Sequence, residues 1–159
     1  MLLFYVGKEI FACDSEPIVE VVPKVILKKI PHAPGFCAGL LNFGGIPVPV
    51  IDFCQLIENR PSGDSMHTRI MLFKHPDSDS QTPILGIIAE KVTETTVQKP
   101  SSFIDSGVKV KDFPYLAGVH SIDGKVTQLV LIDELIKSMQ SIDWNLNKEQ
   151  PALPRRHEA

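Results

Sequence analysis

Short apolar runs separated by glycine, proline and polar residues recur along the chain, and their spacing fits strands better than helices. From Leu2 to Ala12 two such runs flank Gly7-Lys8, which predicts a hairpin closed by a tight glycine-containing turn. Ser15-Glu16-Pro17 offers a helix start or a turn before IVEVV, and a single helical turn stopped by Pro23 is expected there. KVILKKI reads as an extended segment. Pro31 and Pro34 bracket the next link; a residue before proline is pushed away from the helical region, so an extended, exposed connection is expected.

The run from Gly39 to Asp52 carries the strongest local pattern. Apolar GLLNF and IPVPVIDF flank Gly44-Gly45, a pair suited to the positive φ angles of a primed hairpin turn. Pro47 and Pro49 each remove a ladder donor, so the second strand should lie partly at a sheet edge. Farther on, 59–66 and 76–83 are polar loops, TRIMLFKH between them is a strand, and ILGIIAEKVTETTV is a strand pair or one bent strand. Residues 98–114 lack clear periodicity and read as a long surface connection. Asp123-Gly124 predicts another hairpin, Asp133 is placed as the cap of a helix over ELIKSMQSI, and the tail after Trp144 is expected to fray. About eight to ten short strands with few helices point to a mainly β, barrel-type fold. Phe36-x-x-Gly39-Leu40 and Tyr115-x-x-Gly118-Val119 each precede a hairpin, an echo that points to two similar halves.

A length of 159 residues allows one compact domain or two small, intimately packed halves; we set the domain at 1–142 and the tail at 143–159. A net charge of −3 gives no broad attraction for a phosphate backbone or an anionic lipid surface, which argues against nucleic acid as a partner. The apolar start lacks a basic leader and reads as a first strand. No apolar stretch reaches the roughly 18–20 residues that cross a bilayer, so a cytoplasmic chain is expected, with membrane association only through a partner.

Candidate chemistry is sparse. Cys13, Cys37 and Cys54 lack CxxC spacing and read as reduced, buried thiols. Cys37 with His32, or Cys54 with His67, are the only pairs a thiol enzyme could use. His32, His67, His75, His120 and His157 are scattered, which argues against a metal site, and no cofactor motif is present. Asp52 and Asp133 each come directly after an apolar strand and read as caps of the next turn or helix, not as paired catalytic carboxylates.

Four segments together resemble the CheW family of chemotaxis coupling proteins, over about Leu3 to Met139: IVEVV, IPHAPGFCAGLLNFGGIPVPVID, LGIIAEKVTE and YLAGVHSIDGKVTQLVLID. The last three carry the family's P-x-A-P…G…N…G…P-V-x-D core, its x-G-x-x-V-D/E strand and its G-x-x-x-x-D-G hairpin. The resemblance implies two SH3-like five-stranded β-barrels sharing a hydrophobic core, with a short C-terminal helix. It implies a non-enzymatic adaptor, without cofactor, that bridges the regulatory domain of a CheA-like histidine kinase to the cytoplasmic tip of methyl-accepting chemoreceptors. Carried over by position, Gly39 and Gly118 support the kinase-facing surface, and Ile18, Glu20, Thr68 and Ile70 fall near the receptor-facing groove. Gly44 stands where the family usually has an Arg that pairs with the acid matching Glu20, which implies a divergent array. The short N-terminus and the IPHAPGF, TRIMLF and LGIIAEKVTET segments resemble adaptors of Wsp-type surface-sensing systems, whose output is a diguanylate cyclase. Two other readings remain open at this point: a regulatory domain that binds a kinase or response regulator without touching a receptor, and a small thiol enzyme.

Overall fold

The apolar runs become strands in the structure, a computed structural model that describes residues 1–93, 99–105 and 113–141. In chain order these are β1 (Leu2–Val6), β2 (Glu9–Cys13), β3 (Ile18–Pro23), β4 (Cys37–Phe43), β5 (Ile46–Asp52), helix α1 (Phe53–Glu58), β6 (Arg69–Phe73), β7 (Leu85–Ala89), β8 (Lys91–Thr93), β9 (Leu116–Ile122), β10 (Lys125–Val130) and helix α2 (Ile132–Ser141). They form two five-stranded sheets, ordered β8-β1-β2-β10-β9 and β3-β6-β7-β5-β4. The expected two-part, mainly β architecture is present, although in each sheet the hydrogen-bonded order is linear and does not close on itself.

The three hairpin turns fall where the glycines placed them. Gly7, Gly44, Gly45 and Gly124 all have positive φ, as does Asp123, and the Asn42 carboxamide accepts the Gly45 N–H at 2.7 Å. Leu40 spends its backbone groups outside the β4–β5 pair, so the N of its partner Pro49 also faces away from β4. Only Val50 to Asp52 pair onward with β7. The proline half of β5 is therefore an edge, as expected, while its second half is interior. The stretch around Glu90 is one bent strand shared between sheets: β7 belongs to one, β8 to the other, and Glu90 alone separates them.

Three local expectations are corrected. Ile18–Pro23 is a strand, not a helical turn, because its β-branched run pairs antiparallel with β6, while the Ile18 N–H closes a turn on the Ser15 carbonyl at 3.1 Å. The Pro31–Pro34 link folds back instead of extending. Ala33 donates to the Ile30 carbonyl at 3.3 Å, and His32 takes φ 61, the third position of a turn that Pro31 initiates. Asp133 lies inside the first turn of α2, beside Glu134, and is not its cap. The tail from residue 143 lies outside the described residues, as do 94–98 and 106–112 within two predicted segments.

One large core joins the sheets. Phe4, Val6 and Phe11 from one sheet meet Ile51, Met71, Phe73 and Ile87 from the other, with Phe53 of α1 and Leu135 and Ile136 of α2 between them. A smaller cluster, Val48, Val50, Ile70, Leu72 and Ile88, belongs to the second sheet alone.

Candidate functional site

Gly39 and Gly118 sit at equivalent places in the two halves. Each lies on an outer strand, β4 or β9, and is preceded by an aromatic three residues earlier. The carbonyl of that aromatic closes the base of its hairpin: Phe36 accepts from Asp52 N–H, and Tyr115 from Leu131 N–H, both at 2.8 Å. Asp52 and Leu131 are in turn the last residues before α1 and α2. The echo in the sequence is thus a structural duplication of edge strand, hairpin, inner strand and helix.

Across the outside of each edge strand runs a second piece of backbone, which we call a strap. In the first half, Lys28 and Leu40 exchange reciprocal hydrogen bonds, Lys28 N–H donating at 3.0 Å and Leu40 N–H at 2.7 Å. In the second, Ile104 and Val119 do the same at 2.9 and 2.8 Å. Glycine is what lets the straps approach. A Cβ on Gly39 would stand 2.5 Å from the Lys28 carbonyl oxygen, and one on Gly118 the same distance from that of Ile104. Gly39 also takes φ 138, at a register break between Cys37 and Gly39. The first strap roofs a cleft of about 540 Å3 whose walls include Cys37, Asp52 and the Lys24–Asp64 ion pair, closed at 2.7 Å.

The residues that the resemblance places near a receptor-facing groove divide. Ile18 and Glu20 lie on β3, an edge strand; Glu20 is exposed and Ile18 half-buried against the main core. Thr68 and Ile70 do not themselves present surface. Thr68 is 1% exposed and donates its hydroxyl to the Gly63 carbonyl at 2.8 Å, and Ile70 is fully buried in the smaller cluster. They hold β6 behind β3, where Val22 pairs with Ile70. Glu20 makes no ion pair among the described residues, in keeping with glycine at position 44.

The side chains with the most polar chemistry are engaged in holding the fold. Asp52 caps α1, accepting from Cys54 N–H at 3.0 Å and Gln55 N–H at 3.4 Å, and its other oxygen takes the Ser62 N–H and hydroxyl at 2.8 and 3.0 Å. Glu90, at the junction of the sheets, accepts from Gly7 N–H at 2.6 Å, Gly63 N–H at 2.7 Å, and the Arg60 guanidinium at 2.9 and 3.0 Å. The Arg60 hydrogen bonds, with those from the two backbone amides, hold its carboxyl down to about 2. Sequence reasoning passed over Glu90 as a clamp, although it is the acid of the x-G-x-x-V-D/E motif.

Neither thiol–imidazole pair forms. No hydrogen bond joins Cys37 to His32 or Cys54 to His67 among the described residues, and His32 and His67 are exposed. Burial, with Glu90 and Asp52 nearby, pushes the Cys54 thiol up to about 12; burial does the same to Cys13. Among the described residues no cluster of His, Cys, Asp and Glu is suited to a metal, and no helix is long and apolar enough to cross a membrane.

Comparison with known proteins agrees with this geometry. Among solved structures, the scaffolding protein TtCheW from Thermoanaerobacter tengcongensis is similar with a TM-score of 0.69 and 25% identity, over 81% of this chain and 86% of that one. The Chemotaxis protein CheW of Rhizobium meliloti (strain 1021) is 20% identical over 140 residues, 87% of either chain. The family model of the CheW-like domain matches residues 1–140, and the chain belongs to that family.

Proposed function

We propose that this chain is a non-enzymatic signalling adaptor that couples methyl-accepting chemoreceptors to a CheA-type histidine kinase in a chemosensory array. The observation that carries the reading is the family match over residues 1–140, on a fold in which Asp52, Glu90 and Arg60 all serve structure. A protein built this way acts through its surfaces. The kinase regulatory domain meets the region of Gly39 and Gly118, and the receptor tip meets the β3 edge at Ile18 and Glu20, with Thr68 and Ile70 supporting it from behind. Val21, 37% exposed beside Glu20, adds apolar area to that edge. The chain works in the cytoplasm and reaches membrane-associated arrays through these partners. A Wsp-type system with a diguanylate cyclase output is the finer assignment, and it rests on the sequence resemblance.

Reconstitution tests the reading. The full chain, a CheA-type kinase and a receptor signalling tip are mixed, and complex formation and kinase autophosphorylation are followed. The expected result is a ternary complex in which receptor control of the kinase requires this chain. Binding to the kinase with no receptor contact would instead establish a free regulatory domain, and binding to neither would end the adaptor reading.

A further inference from the structure

The duplicated straps bear on how the kinase-facing surface is built, an inference that rests on the adaptor reading and deepens it. We infer that Gly39 and Gly118 are positioning residues: they admit the backbone of straps 24–30 and 99–105, and the outer faces of the straps, through Ile26 and Ile104, meet the kinase regulatory domain in their place.

Three observations lead there. Gly39 is buried and Gly118 half-buried, and the side from which each would offer its Cα is filled by a strap carbonyl, 2.5 Å from the position of a Cβ. A partner approaching from that side reaches the strap first. Each strap also carries a branched apolar side chain outward: Ile26 is 100% exposed, next to Val25 at 46%, and Ile104 is 68% exposed. Such side chains, presented on backbone fixed at one residue, suit an apolar pocket on a folded partner. Finally, the backbone of each strap meets its edge strand at one isolated two-bond bridge, Lys28 with Leu40 and Ile104 with Val119, so displacing one carbonyl disturbs that backbone attachment. A substitution at either glycine therefore reaches the partner through the strap.

Gly118→Ala is the sharper variant, because Gly39→Ala would add the strain of φ 138 to the steric clash. Amide hydrogen exchange at Ile104 and Val119, and calorimetric binding to the kinase regulatory domain, are measured on the full chain. In Gly118→Ala, exchange at both amides is expected to rise at least about tenfold, as local opening becomes easier, and binding to weaken. In Ile104→Ser and Ile26→Ser, exchange stays at the wild-type rate while affinity falls about tenfold, the size expected of an exposed anchor. Weakened binding of Gly118→Ala with unchanged exchange would overturn the inference, because the glycine would then meet the partner directly. Raised exchange with full affinity would overturn it too. Should Gly118→Ala fail to fold, the two serine variants still decide, since full affinity in both removes the straps from the interface. Failure of the adaptor reading looks different: wild type itself shows no binding.

Discussion

At Glu90 one carboxylate takes hydrogen bonds from the β1–β2 turn, from the loop after α1 and from Arg60, so it ties the first hairpin to the opposite sheet. Removing its charge while keeping its shape should expose the value of that tie. Glu90→Gln is expected to lower stability by about 2 kcal/mol at pH 7, the range for hydrogen bonds to a charged group, measured by urea unfolding. The direction of the shift sets the pH dependence. Folding lowers this carboxyl from 4.5 to about 2, so its contribution is fully present above 4.5 and is lost as the pH falls towards 2. Wild type and Glu90→Gln should therefore converge in stability over that window; a constant gap down to pH 2 would show that the charge is not what matters. The cysteines give a second test at this scale. With Cys13 and Cys54 pushed up to about 12 by burial, neither should label with iodoacetamide in the native chain at pH 7, whereas half-buried Cys37 labels slowly and all three label in urea. Rapid native labelling of Cys54 would reopen the thiol-enzyme reading.

Among the elements, β7 shows how a motif residue takes its meaning from neighbours that sequence does not place beside it. Gly86 lies under the smaller cluster, and a Cβ there would come within 2.9 Å of Val50, 3.1 Å of Ile70 and 3.2 Å of Leu72. Gly86→Ala should cost about 1–3 kcal/mol by overpacking, seen as a lower thermal midpoint; an unchanged midpoint would mean the cluster yields freely. The hairpins were legible in the sequence because a turn announces itself locally through Gly7-Lys8, Gly44-Gly45 and Asp123-Gly124. What misled was context. Ile18–Pro23 is extended because β6, some fifty residues later, gives it a ladder, and no local signal contains that partner. The same limit hid the straps. The aromatic-x-x-glycine echo points to two halves, but the reason for each glycine is a carbonyl at Lys28 or Ile104, 11 or 14 residues earlier, which no local pattern links to it. The resemblance gives Thr68 and Ile70 a position but not an exposure, and their burial follows from β3 lying against β6.

For the molecule as a whole, the shared core decides whether the two sheets behave as one body. Phe4 and Phe11 come from one sheet and stack at 5.7 Å, and both turn their rings to Phe53, which comes directly after the last residue of β5 in the other, at 5.2 and 5.1 Å. Phe53 is fully buried, so its removal leaves a cavity that both sheets line. Phe53→Ala is expected to cost about 3–5 kcal/mol and to do so in a single transition, because no stable half remains once the shared wall is gone. The contrast with Gly86→Ala makes the test specific. That change strikes a cluster owned by one sheet, so amide exchange should quicken first around β5, β6 and β7. In Phe53→Ala, β1 and β2 should quicken together with β5 and β7. Two separate unfolding steps in Phe53→Ala, with β1 and β2 keeping their protection, would show that the halves fold independently. If the straps on both sheets are gripped as inferred above, the shared core couples them, because each strap is attached to a sheet that shares that core.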